Sequence, residues 1–144
     1  MQRKTLSLLT SGVLVVLVLS VFAAAQSAGP ESVIRRWLRA LEMRDANTAQ
    51  TLLVAPLQSE AGQWLVQFSS ELADRPMRVV AKERVGERVL VVTNHSVSVT
   101  VIGSPTPQPM TVTRYWVLSR SNGQWRIDPV GTFRYVNQSR FFRP

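Results

Sequence analysis

Few residues of this 144-residue chain could move a proton: one histidine, two tyrosines and nine acids. His95 stands in the series Val89, Val91, Thr93, His95, Val97, Val99 and Val101, which is one face of an extended segment over 88–102. An imidazole in such a wall can serve as general acid or base when burial and a neighbouring carboxylate tune it toward neutrality. The structural alternative is a histidine satisfied by a hydroxyl or backbone group. Tyr115 shares a strand face with Thr111 and Thr113 and could donate from its phenol. Most acids have other work. Asp45 suits a helix N-cap, Glu60 begins a helix, Asp74 precedes a turn, and Glu83 and Glu87 flank another. Asp128 remains as a base, although beside Pro129 at a strand end it equally suits a solvated or arginine-paired carboxylate. The candidate catalytic set is therefore His95, Tyr115 and Asp128, in the roles of acid, base or oxyanion donor. With a single histidine, no cysteine and dispersed carboxylates, neither a metal nor a cofactor is expected. The sequence has no glycine-rich phosphate loop and no nucleophile elbow.

The elements that must carry these residues can be read from periodicity. Pro30 and Glu31 open a helix whose Val33, Ile34, Trp37, Leu38 and Leu41 fall on one face. Asp45 caps a second helix over 46–55, ended by Pro56, and Ser59 precedes a third that runs to about Ala73. From Met77 the period becomes two. Strands are expected over 77–84, 88–102, 110–120 and 124–130, with the three prolines of 103–109 forming a loop. Asn122-Gly123 is a hairpin signal, because a type I′ turn needs two residues that tolerate positive φ. Trp125, just after it, is expected in the core beneath the helices, where truncation to alanine would cost about 3 to 5 kcal/mol. Helices followed by an antiparallel meander give an α+β domain: three N-terminal helices on a curved antiparallel sheet of about four strands.

Residues 1–25 place Arg3 and Lys4 ahead of an apolar run that ends Ala23-Ala24-Ala25. That is the pattern of an export signal cut after Ala25, or of a single membrane anchor if it is retained. Either outcome puts the rest outside the cytoplasm: periplasmic, secreted, or held on the inner membrane. Residues 26–29 form a linker, 30–131 the domain and 132–144 a basic aromatic tail. In that tail Phe133, Tyr135, Phe141 and Phe142 alternate with Arg134, Arg140 and Arg143. Phe133 and Tyr135 are expected to fold back as a lid. Phe141, Phe142, Arg140 and Arg143 are expected to reach outward to a partner or to an anionic membrane surface. The net charge of +8 is nearly all arginine, scattered singly, without the dense stripe and interleaved aromatics of a nucleic-acid surface.

Two stretches carry a family resemblance. Leu41-Glu42-Met43-Arg44-Asp45-Ala46-Asn47-Thr48-Ala49-Gln50-Thr51-Leu52-Leu53 resembles the helix-turn-helix opening of nuclear transport factor 2-like domains. Tyr115-Trp116-Val117-Leu118-Ser119-Arg120-Ser121-Asn122-Gly123-Gln124-Trp125-Arg126-Ile127 is similar to their final hairpin. The likeness spans roughly residues 30–130 and implies a cone-shaped cavity between sheet and helices. His95 and Tyr115 would line it. Such domains include isomerases, dehydratases, cyclases, transport factors and small exported bacterial proteins, so the fold leaves function open. Catalytic members rely on buried acids or an acid and histidine pair, of which this chain offers little. Exported members are often lipoproteins, and this leader lacks the cysteine they need. The reading that follows is an exported, non-enzymatic binding or assembly domain of the cell envelope, with a protein partner or a small apolar ligand. The alternatives are an isomerase- or cyclase-like enzyme using the cone, and a membrane-anchored scaffold subunit similar to the periplasmic assembly component of type IV secretion systems. A homodimer formed through the sheet is a further option.

Overall fold

The computed structural model describes residues 29–141, with side chains to 138. The order is α1 (Pro30–Glu42), α2 (Ala46–Thr51), α3 (Glu60–Ser70), β1 (Met77–Val85), β2 (Arg88–Val99), β3 (Gln108–Ser121), β4 (Gln124–Ile127) and α4 (Pro129–Phe141). The strands form one antiparallel sheet in chain order. Three helices ahead of a four-stranded meander is the α+β arrangement expected of a nuclear transport factor 2-like cone.

Local chemistry explains the helix starts. Pro30 occupies the first turn of α1, where its missing N–H costs nothing. Asp45 caps α2, with Oδ1 accepting from the Thr48 N–H at 3.0 Å, and Ser59 caps α3 by accepting from the Gly62 N–H at 3.1 Å. α1 turns Val33, Ile34, Trp37 and Leu38 into the core, each burial worth about 1.5 to 3 kcal/mol. α2 stops at Thr51, short of the expected Ala55. The chain there is drawn onto the sheet: the Ile127 N–H donates to the Leu52 carbonyl and the Val54 N–H to the Ile127 carbonyl, around a parallel bridge of Leu53 with Ile127.

Register assigns the faces. Val89, Val91, Thr93 and His95 lie opposite Leu118, Trp116, Arg114 and Val112, and this face meets the helices. Asn122 and Gly123 both have positive φ, as the hairpin required. Trp125 is only half-buried, packed at the core margin with the Arg120 guanidinium 5.0 Å from its ring, so it is not the central aromatic expected there. That place belongs to Trp116, which is fully buried.

The largest correction concerns the end of the chain. β4 stops at Ile127, and residues expected as strand end and tail form the helix α4, which runs through the boundary expected at 131/132. The cause is Asp128-Pro129: Asp128 Oδ1 accepts from the Gly131 N–H at 2.8 Å as an N-cap, and Pro129 takes the first helical position. Helical spacing brings Thr132 and Val136 inward, where alternation had suggested Phe133 and Tyr135. Because β4 pairs β3 only from Leu118 onward, α4 covers the edge just beyond. There the Val117 N–H donates to Thr132 Oγ1 at 3.0 Å and the Val117 carbonyl accepts from the Asp128 N–H at 2.8 Å. Phe133 meets Trp64 edge-on at 5.0 Å and Tyr135 meets Tyr115 at 5.5 Å, so both dock on the domain while keeping part of their surface in water. Arg140 and Phe141 belong to the last turn of α4; Phe142, Arg143 and the expected leader 1–25 lie outside the described residues. Among the described residues no helix is long and apolar enough to cross a membrane.

Candidate functional site

His95 has no exposed surface. It sits at the end of β2 where β1 begins, with Met77 as its register partner on one side and Val112 on the other. Its Nε2 lies 2.8 Å from the Thr93 hydroxyl, and the same hydroxyl oxygen accepts from the Trp116 indole N–H at 2.8 Å. Thr93 therefore joins two large buried side chains from adjacent strands. Nδ1 of His95 is buried without a hydrogen-bond partner. Burial, with a smaller contribution from the Arg114 guanidinium, lowers the His95 pKa to about 4, so the ring is neutral near pH 7. Arg114 in turn lies with its guanidinium 4.7 Å from the Phe68 ring centroid and donates from Nε to the Phe68 carbonyl at 3.3 Å. A parallel arrangement fills the helix side, where the Trp37 indole donates to Ser69 Oγ at 2.9 Å. Trp37, Trp116 and His95, all without exposed surface, stand between the sheet and the helices.

The other two candidate catalytic residues do not join His95. Tyr115 alternates with Trp116 along β3 and so projects from the opposite face, where it meets Tyr135 of α4. Asp128 follows Ile127, whose partner Leu118 lies six positions along β3 from Val112, a separation of roughly 20 Å at about 3.3 Å per residue. Its carboxylate is committed to capping α4, with the exposed Arg88 guanidinium 3.9 Å away. Sequence reading missed Thr93 as the hub of the buried polar chain. Its signal was present, since a lone threonine among valines on a core-facing strand needs a hydrogen-bond partner.

Open space lies around the interior. A groove of about 400 Å³ is lined by Arg35, Arg39, Arg75 and Glu42 over Leu38, Ala73 and Met77. Met77 lines this groove and is the register partner of His95. A groove of about 420 Å³ on the far side of the sheet is bounded by Arg88, Arg134, Leu90, Val117 and Tyr135. A smaller one of about 240 Å³ between α3 and α4 is mostly apolar, with Ala61, Trp64, Val130 and Phe133. Among the described residues no group of three His, Cys, Asp or Glu side chains gathers as a metal-ligand set.

No protein-family model matches the chain, and no curated protein matches its sequence. Among solved structures it is similar to a Thiobacillus denitrificans protein named for the calcium/calmodulin-dependent protein kinase type II association domain, at 15% identity and TM-score 0.47 over 68% of this chain and 88% of that one. A Catenulispora acidiphila protein with a ketosteroid isomerase-like fold, solved with trimethylamine, is similar at 14% identity and TM-score 0.41, over 67% of this chain and 82% of that one. A nuclear transport factor 2-like protein of unknown function from Burkholderia pseudomallei is similar at 15% identity and TM-score 0.37, over 74% and 96% respectively.

Proposed function

We propose that this protein is a non-catalytic binding domain of the cell envelope, carried out of the cytoplasm by residues 1–25, which takes a protein partner or a small apolar ligand on its surface. One observation carries the reading. His95 has no exposed surface, while Tyr115 projects from the other face of the sheet and Asp128 caps a helix roughly 20 Å along it. A general acid and a general base must both reach the reacting atoms of one bound substrate, and groups on opposite faces of the sheet or roughly 20 Å apart do not. The apolar groove between α3 and α4 fits a small apolar ligand, and the arginine-edged grooves fit the rim of a protein partner. Retention of residues 1–25 would make the same domain an anchored scaffold subunit.

The test uses the full chain expressed in bacteria with a C-terminal epitope. Fractionation should recover it from periplasm or envelope, beginning at Gln26 if the leader is cut or at Met1 if it is anchored. Chemical cross-linking in intact cells should give the same adducts for wild type and for His95→Gln. Recovery from the cytoplasm would overturn the compartment. Adducts lost in a folded His95→Gln protein would move binding into the interior.

A second reading is favoured by the unpartnered Nδ1 of His95. A buried, neutral imidazole with one free nitrogen is what an isomerase- or cyclase-like reaction in the cone would use, once a substrate reached it. Turnover that disappears in His95→Gln while the fold persists would establish it.

A further inference from the structure

One end of the domain brings together two features that the folded interior does not use. The first is the groove of about 400 Å³ between α1 and the chain entering β1, lined by Arg35, Arg39 and Arg75 over Leu38, Pro76 and Met77. Arg35 and Arg39 are exposed one helical turn apart, a like-charge spacing that a counter-anion relieves. Among the described residues neither has an ion-pair partner, whereas Arg75 meets Asp74 at 3.2 Å. Glu42 also lines the groove.

The second feature is the end of the sheet beside it. β2 and β3 continue together past Met77 and His95, the last pair between β1 and β2, as a two-stranded arm reaching about 13 Å farther before its loop. Val99, Val101 and Met110 are each more than a third exposed and Ile102 fully so, and no Lys, Arg, Asp or Glu occurs in residues 94–113. An ion pair fixes which end the arginines share. Lys82 Nζ meets Glu31 Oε1 at 2.7 Å, so α1 starts far along β1 from Met77 and runs back toward it. Arg35 and Arg39 therefore lie at the end of the domain from which the arm projects.

We propose that this end of the domain docks on a membrane, with the phosphate of an anionic phospholipid held between Arg35, Arg39 and Arg75 while the apolar arm enters the lipid surface. The order of polarity selects the occupant. Guanidinium forks match phosphate oxygens, and an uncharged apolar tip set about 13 Å beyond them meets the layer beneath the headgroups. A free phosphate would have no use for the arm, and a partner strand none for the groove. Arg78, opposite Asn94 at the base of the arm, adds a cation, while Glu42 and Asp74 offset part of the charge, so docking is reversible and needs both features. The depth is limited. No strand pairs with the outer edge of Ser96–Val99, so the arm stops at the interface, where water still reaches its backbone groups. The proposal stands on this end of the domain alone and does not depend on the compartment or on the binding role above.

Because the chain contains no cysteine, a single one carries a reporter. Full-length Thr106→Cys, labelled in the arm's loop with an environment-sensitive fluorophore, is mixed with phosphatidylcholine vesicles containing phosphatidylglycerol and an acyl-chain nitroxide quencher. Glu87→Cys, in the β1–β2 turn at the other end of the sheet, is the reference, since tethering by residues 1–25 would affect both labels alike. The label at 106 should shift to the blue and be quenched, and the label at 87 should not. Adding Ile102→Lys, or the pair Arg35→Gln and Arg39→Gln, should raise the lipid concentration for half the shift at least about tenfold. These positions are exposed, and unchanged thermal melting would confirm folding. A label at 106 that stays in water with every vesicle would overturn the proposal, as would equal quenching at 87 or equal insertion into pure phosphatidylcholine. Inorganic phosphate that raises the melting temperature through Arg35 and Arg39, without insertion at 106, would overturn it too and assign the groove to a free anion.

Discussion

Thr93 holds the Trp116 indole and the His95 imidazole through one oxygen, so its removal orphans two buried polar groups at once. Thr93→Val keeps the shape and should cost on the order of 2 to 4 kcal/mol in denaturant unfolding, more than a similarly buried valine-for-threonine exchange without such partners. His95 sets a second expectation. The native ring titrates at about 4 and the unfolded ring near 6.5, so between these values the unfolded state binds the proton and the native state does not. Stability is therefore full above about pH 6.5, declines as pH falls, and levels off below about 4. The loss is about 3 kcal/mol, at about 1.4 kcal/mol per pKa unit. Asp45, held below its ordinary value by hydrogen bonds from Thr48, stabilises the fold throughout this window and loses that contribution only at more acid pH. Unfolding curves across this window should show the slope in wild type and lose it in His95→Gln; an equal slope in both would refute the burial of a neutral ring.

At the scale of elements, the helix stripes, the caps at Asp45 and Ser59 and the Asn122-Gly123 hairpin were legible because each rests on local geometry that residue type alone sets. α4 was not. Asp128-Pro129 carried an N-cap and first-turn signal, but the alternation of Phe133 with Tyr135 competed with it, and only the unpaired edge of β3 decides for a helix. Likewise the face of Tyr115 followed from its alternation with Trp116, whereas which face meets the helices depends on tertiary packing that no strand declares. Trp116→Ala should cost about 3 to 5 kcal/mol. Trp125→Ala should cost less, on the order of 1 to 2 kcal/mol, because its ring is only partly covered. A reversed order of melting temperatures would put β4 in the wrong register. The α4 cap gives a further check. A Cβ at Gly131 would lie 2.6 Å from Asp128 Oδ2 and 3.0 Å from Val117 Cγ1, so Gly131→Ala should destabilise the domain by about 1 to 2 kcal/mol and raise hydrogen exchange in α4 first.

For the whole molecule, function turns on whether the interior is closed. A cone open to solvent would make His95 a reagent, whereas a filled one makes it part of the wall and moves binding to the surface. Since His95 is the chain's single histidine, its reactivity can be read without ambiguity. Diethyl pyrocarbonate modifies neutral, accessible imidazole, and at pH 7 this ring is neutral, so protection can come only from burial. The measurement is the rate of carbethoxylation of the folded full-length chain against the same chain in denaturant. A buried His95 should react at least about a hundredfold more slowly in the folded chain; a folded-state rate close to that of the unfolded chain would show the ring to be accessible and return His95 to the catalytic candidates.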